Sequence, residues 1–591
     1  MSQVEQLITD NLDVWTSAIQ KRGSQGRGSS KKIELYGIKK LRELILELAV
    51  RGLLVPQDAN DEPASVLLEK IAVEKERLLK EGGTKKQKPL PEVSDDERTF
   101  TLPLGWESVQ FGRVALIERG GSPRPIKSYL TDDPEGLNWI KIGDTEQGGK
   151  YITSTCEKIR KEGLSKTRMV YPGDFLLTNS MSFGRPYITK IEGCIHDGWL
   201  RISPPKSIDK DYLYLLLSSP FIVSAFKKAA AGAVVLNLNA DKVREVDILI
   251  PPEAEQTRIV AKVDELMALC DQLEQQTEDS LSAHQTLVEI LLNTLLDAAQ
   301  SRDDNSSKES AFDQAWQRIA EHFDVLFTTE HSIDQLKQTI LQLAVMGKLV
   351  PQDPNDEPAS VLLEKIAAEK ERLVKEGKIK KQKPLPPIGE DEKPFELPVG
   401  WEWCRGEEVA DFIDPQPSHR TPPVVEGGVP YVGYTDIDHT RGIDFQGARK
   451  VSLDVFREHQ ERYQLKVGDF VFGKIGTLGQ PFFLAEPFNY CLSANLILIQ
   501  PNLEAVYPNF LALYLNSPTL YKLLDDQKTN STHGVFGIKK ARLLLVPSPP
   551  LIEQRKIAEK VDALMSLCDA LKDGIQESQN TQLYLADALT R

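Results

Sequence analysis

Apolar residues fall four and three apart at Ile259, Val263, Leu266, Cys270 and Leu273, and again at Ile557, Val561, Leu564, Cys568 and Leu571. This spacing is the stripe of a helix packed on a partner helix. With no Pro or Gly inside, the first stretch predicts one helix from about Glu255 to Gln300, about 65 Å long at about 1.5 Å per residue. Ile33–Gly52 and Ser332–Gly347 are amphipathic and each ends in glycine, while SVLLEKIAVEKERLLKEG and its copy predict charged helices stopping at Gly82 and Gly377. Between these helical segments the period changes. LNWIKIGD, VYPGDFLLTN, RPYITKI, VPYVGYTD, KVGDFVFGKI and NLILIQ are short runs rich in β-branched and aromatic residues, broken by Pro and Gly. They predict two strand-rich globular domains of about 150 residues each. DYLYLLLSSPFIVSAF reads as one packed helix within the first.

The chain repeats itself. Residues 41–107 and 336–402 match at 48 of 67 positions at a constant shift of 295. PPEAEQTRIVAKVDELMALCDQL from Pro251 recurs as PPLIEQRKIAEKVDALMSLCDAL from Pro549, now at a shift of 298. Upstream, LITDNLDVW faintly echoes RIAEHFDVL at a shift of 311, so the first copy carries extra residues around GSQGRGSSKK. The intervening stretches, about 108–250 and 403–548, keep only a skeleton. Gly173-Asp174-Phe175 corresponds to Gly468-Asp469-Phe470, Gly184 to Gly479, and Arg124 to Arg420. Tyr212–Pro220 resembles Phe510–Pro518. A tandem duplication with near-identical frames and independently varied inserts is the pattern that any functional reading must explain.

Charge changes the picture by region. The 591 residues allow about four domain-sized units, and the whole chain carries −15. Residues 101–250 hold 20 basic and 17 acidic side chains, whereas 401–550 hold 14 and 17. The net negative charge therefore lies outside the inserts, and a local positive face on an insert is compatible with the acidic total. Six cysteines without CxxC spacing make no disulfide framework. The start lacks the basic and apolar regions of a signal peptide, and no apolar run reaches the roughly 18 residues of a membrane span. The expectation is a cytoplasmic protein with no membrane partner.

The motifs of common catalysis are missing. There is no GxxxxGK[ST] phosphate loop, no HExxH, no Asn/Asp-Pro-Pro-aromatic motif of amino-methyltransferases and no GxSxG elbow. The eight histidines are dispersed, so no metal site and no bound cofactor are expected. The chain reads as one that binds and holds.

Several polar residues are suited to nucleic acid. Thr178, Asn179, Ser180, Ser182 and Arg185 form an amide-rich loop after a strand-like run, and Asn and Arg pair well with adenine and guanine edges. The equivalent loop of the second insert carries Lys474, Thr477 and Gln480, so the chemistry changes while the glycines stay. An ordinary hairpin turn fits the same residues. Arg124 and Arg420 lie in Pro-flanked loops, where a phosphate contact and a plain surface arginine are both open. Asn237, Asn239 and His533 precede the return to the frame, with turn and cap roles as alternatives. The runs Lys85–Lys88 and Lys380–Lys383 suit either phosphates or a solvated linker.

This layout resembles the specificity subunit of type I restriction–modification systems, over the whole chain. The carrying motifs are PP-x-x-EQ-x-x-I-(V/A)-x-KVD, the GDF and Gly184/Gly479 skeleton, and LAVxGxLVPQDxNDEPASVLLEKI. The long helical segment before the first insert is similar to the enterobacterial IB group. The resemblance implies an α+β fold: two mixed α/β target-recognition domains joined by two long antiparallel coiled-coil helical regions about a pseudo-twofold. It divides the chain into a helical region 1–98, a first recognition domain 99–252, a central helical region 253–393, a second recognition domain 394–550 and a C-terminal helix 551–591. It implies that the N-terminal segment joins the C-terminal helix. Each recognition domain would read half of an asymmetric split site on double-stranded DNA, with the helices as ruler and docking face through Ile259, Val263, Leu266, Leu273, Ile557, Val561, Leu564 and Leu571. It implies two modification subunits that bind S-adenosylmethionine and methylate adenine N6, and two restriction subunits that use ATP and Mg, with no catalysis in this chain. Two other classes stay open from the residues alone: a two-headed protein-interaction scaffold, and an enzyme on a helical stalk.

Overall fold

The computed structural model describes residues 3–21, 33–81, 90, 101–146, 148–179, 183–230, 238–300, 310–377, 384–418, 420–473, 481–526 and 537–590. The chain divides into two compact units, Met1–Asp279 with Ser578–Arg591, and Ser280–Glu577. The predicted long helix spans Glu253–Gln300, and its counterpart spans Leu551–Leu589. At about 1.5 Å per residue the first is about 70 Å long.

In the first unit, Tyr36–Val50 is the amphipathic helix expected before Gly52. Gly52 adopts φ 70°, and a Cβ there would strike Pro103 and Trp106. This close approach builds a corner. Gln57 donates Nε2–H to the Gly52 carbonyl at 2.6 Å and to Glu255 Oε1 at 3.3 Å, and Trp106 donates Nε1–H to Glu255 Oε2 at 3.0 Å. The next residue, Gln256, donates to the Pro251 carbonyl and accepts the Asp209 amide at 3.0 Å. In the PP-x-x-EQ motif, then, the glutamate holds the frame and the glutamine holds the first insert to the start of the long helix. The unit also joins both chain ends: Tyr36 donates to Asp587 Oδ1 at 2.8 Å, and Lys40 lies 3.1 Å from the same carboxylate.

The first insert opens and closes on one antiparallel strand pair, Glu107–Gln110 with Asp247–Ile250. Inside it are two five-stranded sheets. One orders Leu116–Arg119, Trp199–Ser203, Phe175–Thr178, Pro186–Thr189 and Tyr151–Ile152; the other orders Leu130–Thr131, Glu157–Ile159, Leu137–Ile140, Gly193–Ile195 and Arg168–Val170. The leucine-rich stretch differs from its prediction. It forms two helices, Lys210–Ser218 and Pro220–Ala230, bent by 60°. Pro220 has no amide hydrogen to continue the first helix, and Ser219 turns out to extended backbone while its hydroxyl accepts the Ile222 amide. No single helix among the described residues is long and apolar enough to cross a membrane.

The second unit repeats the corner. Gly347 at φ 70° faces Pro398 and Trp401, Gln352 donates to the Gly347 carbonyl and to Glu553, and Trp401 donates to Glu553 at 3.0 Å. Gln554 accepts the Tyr507 amide at 2.7 Å. The second insert closes on Glu402–Arg405 paired with Leu545–Ser548. Its sheets are smaller: Ala410–Ile413, Leu496–Pro501, Phe470–Gly473 and Phe482–Phe483 in one, and Arg449–Val451, Val429–Val432 and Cys491–Leu492 in another. Val288, Leu292 and Leu295 share one buried core with Ile557, Val561 and Cys568.

The helical stripe is mostly as spaced. Ile259, Val263, Leu266, Ile557 and Val561 are buried, and Leu273 and Leu564 are half-buried. Leu571 departs from the prediction and is 41% exposed. At about 100° per residue it falls on the edge of the stripe, while Ile575 returns to its centre and packs on the core.

Candidate nucleic-acid interface

In the first insert the GDF skeleton sets the strand that carries the predicted loop. Gly173 adopts φ 96°, a left-handed conformation that favours glycine. Asp174 follows and accepts the Tyr171 amide and Arg201 Nε, each at 2.9 Å, plus the Ser203 hydroxyl. The chain then enters the buried strand Phe175–Thr178. At its far end Thr178 and Asn179 are buried, contrary to a role in presenting polar atoms to bases. Thr178 Oγ1 accepts the Arg185 amide at 2.9 Å, and Asn179 Nδ2 donates to the Asp197 carbonyl at 2.7 Å. Both sit at the end of a central strand, flanked on each side by a hydrogen-bonded neighbour. Their side chains close the loop from inside. Among the described residues of the set, Arg185 is the exposed one.

The turn His196–Gly198, which pattern reading missed, gathers two predicted residues. Asp197 accepts the Ser122 hydroxyl at 2.6 Å, lies 3.4 Å from the Arg124 guanidinium, and holds Asn179 by its carbonyl. The Ser122 hydrogen bond, with help from Arg124, holds the Asp197 carboxyl below its ordinary range. Arg124 is otherwise open to solvent, with its side chain 81% exposed. Asn239 is the N-cap of Ala240–Glu245 and accepts the Lys242 amide at 2.8 Å, so its role here is the cap.

A second group beside the loop was also missed. Gly148, Gly149, Arg185, Pro186 and Tyr214 line a cleft of about 560 Å³. On its rim Lys150 Nζ lies 4.9 Å from the Tyr214 ring centre and 2.6 Å from Asp211, and Lys190 Nζ lies 4.2 Å from the Tyr151 ring centre. The available signal was basic residues interleaved with tyrosines in GGKY and RPYITK.

In the second insert Arg420 is exposed, and its loop is anchored from within. Gln416 donates to the Ser418 hydroxyl at 2.9 Å and to the Arg420 carbonyl at 3.3 Å, while its Oε1 lies 2.7 Å from His459 Nε2. His459 Nδ1 lies 2.7 Å from the Tyr463 hydroxyl, which also accepts the Leu492 amide. Burial, aided by the Arg462 charge, pushes the His459 pKa down to about 4. Asp469 accepts the Lys466 amide and Gln500, and burial raises its pKa. Ser180, Ser182, Asn237, Lys474, Thr477, Gln480 and His533 lie outside the described residues, as do Lys85–Lys88 and Lys380–Lys383. Among the described residues no three His, Cys, Asp or Glu side chains gather as a metal site.

Comparison with known proteins follows the repeat. The family described as "Type I restriction modification DNA specificity domain" matches twice, over residues 103–283 and 398–578. The chain is 40% identical to the type I restriction enzyme EcoEI specificity subunit and 41% identical to that of EcoAI, both from Escherichia coli, over 99% of this chain and 99% of each relative. It is also similar to the solved HsdS subunit of Thermoanaerobacter tengcongensis, at 18% identity and a TM-score of 0.38, over 83% of this chain and 97% of that one.

Proposed function

Because the chain belongs to the family of type I restriction–modification DNA specificity subunits, we propose that its two recognition domains, 99–252 and 394–550, read the two different halves of an asymmetric split DNA site. As a specificity subunit it selects the target, and catalysis resides in other subunits. The observation that carries the bipartite reading is the duplication itself: one frame is nearly copied while the two inserts diverge. A duplicated frame provides two readers, and unlike readers select a non-palindromic site. The family membership gives the protein-scaffold alternative no support.

The long helices act as the ruler between half-sites and as the docking face for two modification subunits, which supply S-adenosylmethionine and methylate adenine N6. Two restriction subunits add ATP- and Mg-dependent translocation and cleavage. The complex works in the cytoplasm. Arg124, Arg185 and Arg420, which are exposed, face the duplex. Single-molecule methylation mapping of DNA from cells making this chain with its cognate modification subunit tests the reading. A split motif with one methylated adenine in each half is expected. An assembled complex that modifies no new motif defeats it.

A further inference from the structure

The cleft beside the recognition loop of the first domain has the chemistry of a polyanion seat. Arg185 and Lys190 are exposed, Lys150 and Lys210 flank them, and Asp211 pairs with Lys150. The cations are placed, not trailing. Lys150 is held between Tyr214 and the Asp211 carboxylate, and Lys190 lies over the Tyr151 ring, which is 40% exposed. A tyrosine face fixes an ammonium group in position while leaving its other side open to a ligand. The wall opposite is glycine: a Cβ at Gly148 would meet nothing within 4 Å, so a backbone can come close there. One helical turn beyond Val223 in the cleft floor, Lys227 and Lys228 extend the positive charge.

The second recognition domain lacks this group. At the corresponding positions of the repeat, Arg185 is replaced by Gln480, Lys190 by Ala485, Asp211 by Asn509 and Tyr214 by Ala512. The strand register supports the match, since Phe175 pairs Ile188 as Phe470 pairs Phe483. Residues 101–250 carry three more basic than acidic side chains, and 401–550 carry three fewer.

We propose that the Lys150–Arg185–Lys190 cleft seats the sugar–phosphate backbone of duplex DNA, so that the first recognition domain carries the salt-sensitive anchoring and the second binds without a matching anchor. The proposal rests on the function proposed above. Backbone contacts fix the register of a protein on DNA without reading sequence, so this cleft positions the domain whose loops then reach the bases. Each phosphate contact releases counterions and adds about 0.9 to the slope of log affinity against log salt.

The test is DNA binding by the full chain assembled with its modification subunits, measured by fluorescence anisotropy across a salt series, on a duplex carrying both half-sites and on an unrelated duplex. For R185A/K190A, whose parent side chains are exposed, the slope is expected to fall by about 2 on both duplexes. K150A serves as a second variant with an expected fall of about 1. A485K in the second domain gives the reciprocal outcome, a slope raised by up to about 1. An unchanged slope in R185A/K190A overturns the proposal. So does a loss confined to the cognate duplex with the slope retained, which makes Arg185 a reader of bases. If the parent complex shows no preference between the duplexes, the proposed function fails first, and the two failures are thus distinguishable.

Discussion

His459 Nε2 lies 2.7 Å from Gln416 Oε1, inside a second recognition domain whose exposed Arg420 depends on that same glutamine. The carbonyl oxygen can only accept, so Nε2 carries the proton. Tyr463 accepts the Leu492 amide and so donates its own proton to Nδ1. Every polar atom of the imidazole is satisfied in the neutral form. A second proton on Nδ1 would face the tyrosine hydroxyl and the Arg462 charge, with Glu458 the one acid that opposes the shift.

The sign of the pH effect follows. An unfolded histidine takes its proton near 6.5 and the folded one near 4, so the unfolded state binds more protons between those values. The stabilisation is complete above pH 6.5 and is lost as pH falls toward 4, the loss amounting to about 2 kcal/mol at pH 5. Thermal melts of the parent chain and of H459Q, compared from pH 7.5 to 5, should show the smaller acid loss in H459Q. Recognition of the second half-site should weaken over the same range, because the Gln416 tether to Arg420 loosens. Parallel pH profiles for the two chains contradict this.

Trp106 and Glu255 make a second testable pair, repeated as Trp401 and Glu553. Each carboxylate is buried, and burial raises its pKa, while Gln57 or Gln352, the indole and the nearby Arg258 or Lys556 charge offset the desolvation. W106F removes a donor from a buried charge and should cost about 1–3 kcal/mol. E255Q keeps an oxygen for the indole and removes the charge, so it should cost less. Denaturant unfolding that ranks the two the other way removes the corner from this account.

The frame was the legible part of the sequence. Its corner motifs recur at 295 and 298 residues, and the glycines, tryptophans and glutamates at those positions meet as a set in both units. The recognition residues were less legible. Thr178 and Asn179 have the composition of a reading loop, but they end a central strand, and only the sheet order shows that their side chains point inward. Lys150, Lys190 and Tyr214 are far apart in sequence and form one cleft rim because Tyr151–Ile152 pairs with Pro186–Thr189 in parallel. The bend at Ser219-Pro220 was readable from the proline, yet the leucine run masked it.

One ion pair of the frame reverses its sign between the two copies, while the Arg42–Asp271 pair recurs as Lys337–Asp569. In the first unit Arg42 binds Asp271 at 2.7 Å and Glu274 at 2.5 Å; in the second, Lys572 replaces Glu274 and binds Asp334, which stands where the first copy has Lys39. K572E therefore sets Glu against Asp334 and should cost about 0.5–1 kcal/mol, with D334K restoring most of it. A double-mutant cycle on unfolding midpoints measures the coupling. A coupling of zero makes the swap neutral drift.

The ruler role can be tested where the compact units divide, after Asp279 in the first long helix and after Glu577 in the second. Seven residues add about 10 Å and return the buried stripe to within about 20° of its face, so the packing on either side is kept. About 10 Å is three base pairs at about 3.4 Å each. Insertion at both places should lengthen the spacer of the methylated motif by about three base pairs with both half-sites unchanged. Insertion at one place alone puts the helices out of step and should abolish modification. Methylation mapping of the double insertion decides between the readings: an unchanged spacer means that something other than helix length sets the gap, and a changed half-site means that the inserts do not read DNA independently of the frame.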